Sequence, residues 1–335
     1  MLAGLVGILA TAGFLEGSWL AYSWLETAET VVVIENQTAN VATVVPVPQP
    51  PPLSLTFVGD LMLDRSVKSS IKKNGAGDYN WIFSETGRLA GTDILFANLE
   101  GPLSDKGKML GGVYSFRMEP AALEAIKNAG FDVLAIANNH IGDWGEEAFL
   151  DTLFRLESAG IVAVGGGRNY AEAAAVKIVK RQGQKIGFLA FSDVGPEWLA
   201  ASADKAGILL ASDPNFGSLI KRAADQVNVL IVSLHFGDEY QTAPSERQKT
   251  LARLAIDNGA KIVIGHHSHI IQPVERYGGA VIAYSLGNFI FDQGFSPETM
   301  EGLVLTITVS GGNIVNVKEE RVVLDNFFKP HLTNA

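Results

Sequence analysis

Residues 129–145 read AGFDVLAIANNHIGDWG, and the order of apolar and polar residues around this stretch indicates the fold class. The run from Asp132 to Ala137 is short and apolar, which predicts a buried β-strand. The segments on either side, Pro120 to Ala129 and Glu146 to Ala159, carry apolar residues at three- and four-residue spacing, which predicts amphipathic helices. A helix–strand–helix order indicates βαβ units and a layered α/β sheet.

The same alternation of strands and helices recurs along the chain. Further strands are predicted at Leu53 to Gly59, Asp93 to Asn98, Val229 to Leu234 and Lys261 to Gly265, and further helices at Arg65 to Lys73 and Ser245 to Asn258. From Ile271 to Tyr284 and from Leu303 to Val323 the pattern changes to alternating strands with Gly-Gly turns, which predicts an antiparallel part of the sheet.

Polar side chains follow five of the predicted strands directly. In open α/β sheets, the loops at the carboxyl ends of the strands build the active site, so these distant segments are expected to converge. Their side chains are oxygen and imidazole donors of the kind that divalent transition metals accept. The candidate residues are Asp60, Asn98, Glu100, Asn139, His140, His235, His267 and His269.

Each candidate taken alone also has a structural interpretation. Asn139 is a possible turn former or helix cap, although Asp143 is the better cap, and His235 alone is more typical of a core histidine. Alternate residues of an extended chain point the same way, so His267 and His269 are expected to face one metal centre. A His140 that misses the metal is positioned to donate a proton to a leaving group.

Bulk properties exclude several function classes. The chain has 335 residues, 47% of them hydrophobic, which is enough for a large core. Its net charge of −10 argues against a non-specific nucleic-acid binder, which needs a positive surface. Cysteine is absent, so disulfides, thiol catalysis and Cys-based zinc sites are excluded.

The first 52 residues differ in character from the rest. Residues 1–28 are mostly apolar and predict a signal anchor that spans the membrane, with a cleaved signal peptide or a buried helix as alternatives. Residues 29–52 end in a Pro-rich run and predict an extended linker. The expected catalytic domain is then 53–327, with a tail at 328–335.

Six motifs together resemble the calcineurin-like metallophosphoesterase superfamily, and more closely its CapA branch, the bacterial poly-γ-glutamate capsule-synthesis family. Five join the stretch quoted above: VGDLML, FANLEGPL, LHFGDEY, GHHSHIIQPVE and YSLGNFIFDQ. The resemblance implies a four-layer α/β sandwich, in which mixed β-sheets are flanked by helices. It also implies a single-pass membrane protein whose catalytic domain is extracytoplasmic.

The resemblance implies a centre with two divalent metal ions, Mn, Fe or Zn. One ion would be held by Asn139, His235 and His267, the other by Asp60 and His269, with Glu100 bridging and His140 as the proton donor. This sequence departs from the superfamily pattern at Met62, which replaces a His, and at the segment NLE, which replaces GDxxD. The first metal site is therefore one ligand short, and it could bind weakly, recruit Asp64 or Asn98, or stay empty.

Three further residues are candidates for substrate contact, with a structural role as the alternative for each. Asn288 and Asp292 are expected to line the pocket, and Arg117 is suited to grip an anionic substrate with two hydrogen bonds. Asn98 belongs to the same group if it is not a ligand.

The expected function is metal-dependent hydrolysis during synthesis or processing of poly-γ-glutamate capsule or another cell-envelope polymer. One alternative is a metallophosphoesterase that acts on a phosphoester. The other is a non-catalytic partner that binds the polymer within a capsule synthesis or export complex. The expected partners are an anionic polymer or phosphoester, the membrane and capsule synthesis or export proteins, but not nucleic acid.

Overall fold

A computed structural model describes residues 31–34, 43–46, 50–110, 112–195 and 197–333, in two compact units divided after Pro48. In the first unit, β1 (Val31–Ile34) pairs antiparallel with β2 (Thr43–Pro46), inside the segment predicted to be a linker. The predicted anchor at 1–28 lies outside the described residues. No helix within the described ranges has the length and apolar character needed to span a bilayer.

The second unit contains sixteen strands and six α-helices among its described residues. The strands are β3 (Leu53–Leu61), β4 (Ile94–Leu99), β5 (Val133–Ala135), β6 (Val162–Val164), β7 (Gly166–Gly167), β8 (Lys177–Arg181), β9 (Gln184–Ser192), β10 (Gly207–Ile208), β11 (Val229–His235), β12 (Ile262–His266), β13 (Val274–Tyr277), β14 (Ala280–Ala283), β15 (Asn288–Ile290), β16 (Glu301–Ser310), β17 (Asn313–Leu324) and β18 (Pro330–Leu332). The helices are α1 (Arg65–Asn74), α2 (Ala122–Asn128), α3 (Gly145–Ala159), α4 (Tyr170–Ala173), α5 (Phe216–Ala224) and α6 (Glu246–Asp257).

Two large mixed sheets organise this unit. One has the strand order β18-β17-β16-β3-β4-β5-β6, with β15 pairing beside β3. The other has the order β13-β14-β12-β11-β9-β8, and β7 and β10 form a small separate pair. Strands β3 to β6 are parallel neighbours, as are β9, β11, β12 and β14, whereas β16 and β17 are antiparallel. The C-terminal antiparallel part therefore completes the first sheet, as predicted.

The central strands of the six-stranded sheet are buried on both faces, as the alternation of side chains along β11 shows. Val229 and Ile231 belong to the core that the two sheets share, whereas Leu230 and Val232 pack in a second core with residues of α5 and α6. The shared core includes apolar residues of α1, α2 and α3, which pack on the eight-stranded sheet. The predicted mixed α/β sandwich is confirmed.

Several strands end later than predicted, and this places Asp60 and His235 on strands, whereas β5 ends at Ala135, two residues earlier than predicted. β3 continues through Asp60 to Leu61, because β15 adds beside it and the backbone N–H of Asp60 donates to the Gly287 carbonyl at 3.0 Å. Gly59 allows this approach, since a Cβ there would lie 2.1 Å from the Gly287 oxygen. Likewise, β11 and β12 end at His235 and His266.

Candidate metal centre

The carboxyl ends of the central strands bring the predicted polar residues to one place. In the eight-stranded sheet, Asp60 pairs in register with Asn98 on β4 and with Asn288 on β15. In the six-stranded sheet, His235 pairs in register with His266. All five side chains belong to residues that are 2% exposed or less. Distant segments thus meet because parallel strands end at the same edge of a sheet.

The Asn98 side chain holds the two buried carboxylates in place. Its Nδ2 donates to Asp60 Oδ1 at 2.9 Å and to Glu100 Oε2 at 3.2 Å. Its Oδ1 accepts from Asn138 Nδ2 at 3.1 Å, and Asn138 Nδ2 also donates to the Leu99 carbonyl. One amide therefore fixes one oxygen of each carboxylate and leaves their second oxygens toward the histidines.

The predicted histidine ligands surround these carboxylates. His269 Nδ1 lies 3.4 Å from Asp60 Oδ2, and its Nε2 lies 3.6 Å from Glu100 Oε1. His235 Nε2 lies 2.8 Å from Asn139 Oδ1, and the rings of His235 and His267 are 4.8 Å apart. The structure therefore gathers Asp60, Glu100, Asn139, His235, His267 and His269 into one buried cluster.

The expectation that His267 and His269 alternate along an extended chain is wrong. β12 ends at His266, and both later histidines have positive φ angles, 94° and 57°. This left-handed geometry is unfavourable for a residue with a side chain, so the segment forms a strained turn. The His267 backbone N–H donates to Asp60 Oδ2 at 3.3 Å, which holds the turn against the carboxylate. The turn, and not strand alternation, brings the two rings to the cluster.

The pKa values of the two carboxyls shift in opposite directions, although burial alone would raise both. Burial opposes ionisation of Asp60, but the nearby imidazoles of His266 and His269 outweigh it and hold the pKa of Asp60 well below its usual value. Burial together with the Asp60 charge raises the pKa of Glu100 well above its usual value. Asp60 is therefore the carboxyl of this pair that ionises more readily.

The histidine pKa values are also split. Burial and the neighbouring His267 lower the pKa of His235, and burial and His269 lower the pKa of His267 to about 4. Burial opposes charge on His269, but Glu100 and Asp60 outweigh it and raise the pKa of His269 to about 9. His235 and His267 are thus neutral at pH 7, which is the form that binds metals.

His140 lies beside the cluster and is held by a carboxylate behind it. Its Nδ1 is 2.9 Å from Asp143 Oδ2, and its Nε2 is 4.0 Å from Glu100 Oε1. Phe116 packs against the ring at a centroid distance of 4.1 Å, and its backbone N–H donates to Asp143 Oδ2. Asp143 does not cap α3, as the sequence suggested, because its carboxylate is directed to His140 and Phe116 instead.

The four candidates for substrate contact differ in how near they lie to the cluster. Asn98 is part of it, and Asn288 Oδ1 lies 3.0 Å from His269 Nδ1. Asp292 pairs with Arg65 Nε at 3.2 Å and accepts from the Ser66 N–H. Arg117 stacks on Trp144, with its guanidinium carbon 3.5 Å from the ring centroid.

Met62 and Asp64 each have partners within the protein. Met62 is fully buried, and its sulfur accepts from the Asp64 backbone N–H. The Asp64 carboxylate accepts from the Arg117 backbone N–H at 2.8 Å and lies 3.7 Å from Lys68 Nζ.

Sequence reasoning missed four residues that contact this centre or lie at it. His266 Nδ1 lies 3.0 Å from Asp60 Oδ1, at ion-pair distance but without the angle of a hydrogen bond. Asn138 fixes Asn98, Asp143 holds His140, and Glu239 lies at the exposed side of the cluster. All four lie within the motifs quoted above, so membership of those motifs was the available signal.

The donor set fits divalent metal ions. Asp60, Glu100 and His235 each offer a ligand atom, and these atoms lie within 4.8 Å of one another; so do those of Glu239, His267 and His269. Glu100 Oε1, His235 Nδ1 and His267 Nδ1 are buried and have no hydrogen-bond partner among the described residues. Buried polar atoms normally have partners, so these atoms are placed for a ligand that the protein chain does not supply.

Comparison with known proteins assigns the family. The sequence profile described as bacterial capsule synthesis protein PGA_cap matches residues 54–293. The chain belongs to this family. The match covers most of the sandwich and every residue of the cluster.

Two curated relatives are similar in sequence to this chain over most of its length. The PGA biosynthesis protein CapA of Bacillus subtilis is 34% identical over 255 residues, which cover 75% of this chain and 67% of the relative. The capsule biosynthesis protein CapA of Bacillus anthracis is 30% identical over 294 residues, which cover 85% of this chain and 68% of the relative. The resemblance predicted from the motifs is confirmed.

Solved structures support the fold. A phosphatase from Mycoplasma pneumoniae aligns with a TM-score of 0.51 at 15% identity, covering 82% of this chain and 94% of that chain. The calcineurin-like phosphoesterase YfkN from Bacillus subtilis aligns with a TM-score of 0.48 at 15% identity, covering 82% and 91%. At 15% identity, the similarity to the Mycoplasma pneumoniae phosphatase shows a shared α/β sandwich and gives no information about activity.

Proposed function

We propose that this family member is a metal-dependent hydrolase that acts on poly-γ-glutamate or another anionic polymer of the cell envelope. The observation that carries the proposal is the buried group of Asp60, Glu100 and His235, with His267 and His269 beside it and three ligand atoms unpaired. Buried carboxylates and neutral imidazoles at strand ends are costly for stability, and a catalytic metal centre accounts for them.

Most residues that the resemblance would assign to metal ions also lie in the buried cluster, which supports their role as ligands. Asp60, Glu100, Asn139, His235, His267 and His269 would hold two divalent cations, such as Mn, Fe or Zn. When bound, such ions supply a nucleophile at neutral pH and stabilise negative charge at the reacting group. The chain's own part is to fix the donors, which Asn98 does for both carboxylates through its single amide group.

His140 is suited to move a proton at the edge of this centre. The Asp143 carboxylate accepts from Nδ1–H and so keeps Nε2 directed to the cluster side, 4.0 Å from Glu100. The side chain is 16% exposed, so a substrate atom can reach it. A protonated Nε2 would donate to the departing nitrogen of an amide or the departing oxygen of an ester.

A cation near His140 supports an anionic substrate. Arg65 lies with its guanidinium carbon 5.3 Å from the Phe116 ring centroid, and that ring contacts His140. Asp292 neutralises part of its charge, and the Arg65 side chain remains 35% exposed. We propose that Arg65, more directly than Arg117, meets carboxylates of the polymer.

The N-terminal segment and the partners remain part of the proposal. We propose that residues 1–28 anchor the protein in the membrane, that residues 29–52 form a linker, and that the 53–327 domain works outside the cytoplasm with capsule synthesis or export proteins. The apolar composition of 2–25 and the prolines before residue 53 support this arrangement.

Metal analysis tests the proposal first. The full chain is purified without chelator, and bound Mn, Fe and Zn are measured for wild type, His267→Ala and His269→Ala. We expect close to two metals per wild-type chain and losses in both variants. A wild-type chain that binds no metal even after reconstitution would favour a non-catalytic polymer-binding partner.

Substrate assays then separate the two hydrolase readings. The metal-loaded chain is offered poly-γ-glutamate and aryl phosphoesters. Cleavage of the polymer supports the proposal, whereas turnover of phosphoesters alone would overturn it in favour of a metallophosphoesterase.

A further inference from the structure

Glu239 is the one residue of the two candidate metal groups that neither the sequence motifs nor the resemblance assigned. Its carboxylate lies with ring nitrogens of His267 and His269 inside a 4.8 Å group, and it is exposed whereas both histidines are buried. The resemblance would place these two histidines on different metals. In the structure, a ring nitrogen of each histidine instead lies within 4.8 Å of the same carboxylate, that of the exposed Glu239.

The loop that carries Glu239 is fastened to the histidine turn. The Tyr240 backbone N–H donates to the Ser268 carbonyl at 2.9 Å, which ties the residue after Glu239 to the residue between His267 and His269. The Tyr240 ring lies over His269 at a centroid distance of 6.2 Å. The position of Glu239 therefore follows the position of the two imidazoles.

Further contacts hold the same loop from behind. Gln272 Nε2 donates to the Gln241 carbonyl at 2.7 Å, and Gln293 Nε2 donates to the Tyr240 hydroxyl at 3.1 Å. Gly237 turns the chain with a φ of 90°, and a Cβ there would lie 2.4 Å from the Gln248 side chain. The loop is thus anchored at several points, although Glu239 itself is exposed.

We propose that Glu239 is a metal ligand that, with His267 and His269, forms a solvent-side divalent cation site. This inference rests on the proposed function, because it assumes that the cluster binds metal. Two imidazoles and one carboxylate, with open positions for water or substrate, form a donor set found in catalytic zinc sites. Glu239 then supplies a ligand to a centre in which Met62 stands where the superfamily has a histidine.

The chemistry of the neighbouring groups agrees with this placement. His267 Nδ1 is buried without a hydrogen-bond partner among the described residues. A cation held by Glu239, His267 and His269 would give this buried nitrogen a partner.

Metal binding by matched variants tests the proposal. Glu239→Gln removes the carboxylate and keeps the length of the side chain, and Asp238→Asn removes the same charge from the adjacent exposed residue. Metal per full-length chain is measured by emission spectrometry, and Mn²⁺ and Zn²⁺ affinities by titration calorimetry. Circular dichroism melts check that both exposed-site variants fold.

We expect Glu239→Gln to contain one metal ion fewer per chain than wild type, or to bind its more weakly held ion at least about tenfold less tightly. Asp238→Asn should match wild type in metal content and affinity. Equal metal binding by Glu239→Gln and wild type would overturn the assignment of Glu239 and leave the proposed function standing. Equal losses in both variants would also overturn it, because they would reveal a general charge effect. A wild-type chain without metal would instead overturn the proposed function, and this inference with it.

Discussion

Asn139 Oδ1 lies 2.8 Å from His235 Nε2, although the two residues are 96 positions apart in the chain. The contact joins the carboxyl end of β11 in one sheet to the loop that follows β5 in the other. The facing sheets share one core, in which Phe96 of β4 stacks on Phe188 of β9 at 6.0 Å. The candidate site is therefore built across the two sheets, and sheet packing sets its geometry.

Replacing His235 tests whether this pair binds metal. We expect His235→Ala to lower bound metal by about one ion per chain or to weaken metal affinity at least about tenfold. The reason is that the substitution removes a neutral imidazole from the group of Asp60, Glu100 and His235. His331→Ala is the matched control, since His331 is an exposed residue of the tail paired with Asp325. Emission spectrometry on both variants gives the answer, and equal metal contents would contradict the assignment.

The sequence predicted the convergence of these residues because it could place each of them at the end of a strand. It could not place the strand ends to the residue, since β3 continues to Leu61 only through its pairing with β15. The sequence also could not predict the left-handed turn at His267 and His269, because tertiary contacts such as the hydrogen bond from the His267 N–H to Asp60 hold these φ angles. Local propensity carries no record of such contacts.

Some other strands of the fold were predicted from the sequence, and others were not. The antiparallel pair β16 and β17 was predicted from its alternation and its Gly-Gly turn. β9 was not predicted, although it lies between β8 and β11 in the six-stranded sheet. Glu239 lies in the motif LHFGDEY but was missed, because an exposed loop carboxylate is recognised as a ligand only when the histidine turn is placed beside it.

His140 is expected to affect turnover and not metal content. His140→Gln removes the proton donor but none of the proposed ligands, so turnover of a cleaved substrate should fall by about 10²–10⁴-fold. Asp143→Asn should lower turnover less, because this change leaves the His140 imidazole in place and weakens the 2.9 Å contact that orients it. Kinetics and metal analysis on the same preparations check this, and loss of metal from His140→Gln would make His140 a ligand instead.

Asp151 is expected to stabilise the fold in a pH-dependent way. Its buried carboxylate accepts from Ser104 Oγ and Arg155 Nε, each at 2.7 Å, and pairs with Lys106 at 2.9 Å. Burial opposes ionisation, but these three partners outweigh it and lower the pKa of Asp151. Asp151→Asn should cost about 1.5–3 kcal/mol of unfolding free energy at pH 7.

The sign of the pH effect follows from the lowered pKa. The stabilisation by Asp151 is complete above the unfolded pKa of about 4 and is lost as pH falls through the lower folded value. Urea unfolding of wild type and Asp151→Asn at pH 7 and below pH 4 should therefore show a shrinking difference. Asp105→Asn is the control, because Asp105 is 66% exposed in its pair with Arg155 and should contribute no more than about 1 kcal/mol.

Gly265 is expected to be irreplaceable because of backbone packing next to the site. A Cβ at this position would lie 2.0 Å from the Tyr284 carbonyl oxygen and 2.7 Å from the Phe236 ring. The oxygen belongs to the backbone and cannot rotate away, so Gly265→Ala should push β12 from its neighbours and cost about 3 kcal/mol or more. Gly87→Ala is the matched control, since nothing lies within 4 Å of its Cβ position, and it should change stability by no more than about 0.5 kcal/mol. Urea midpoints measured by circular dichroism compare the two, and similar midpoints would show that the sheet can yield at Gly265.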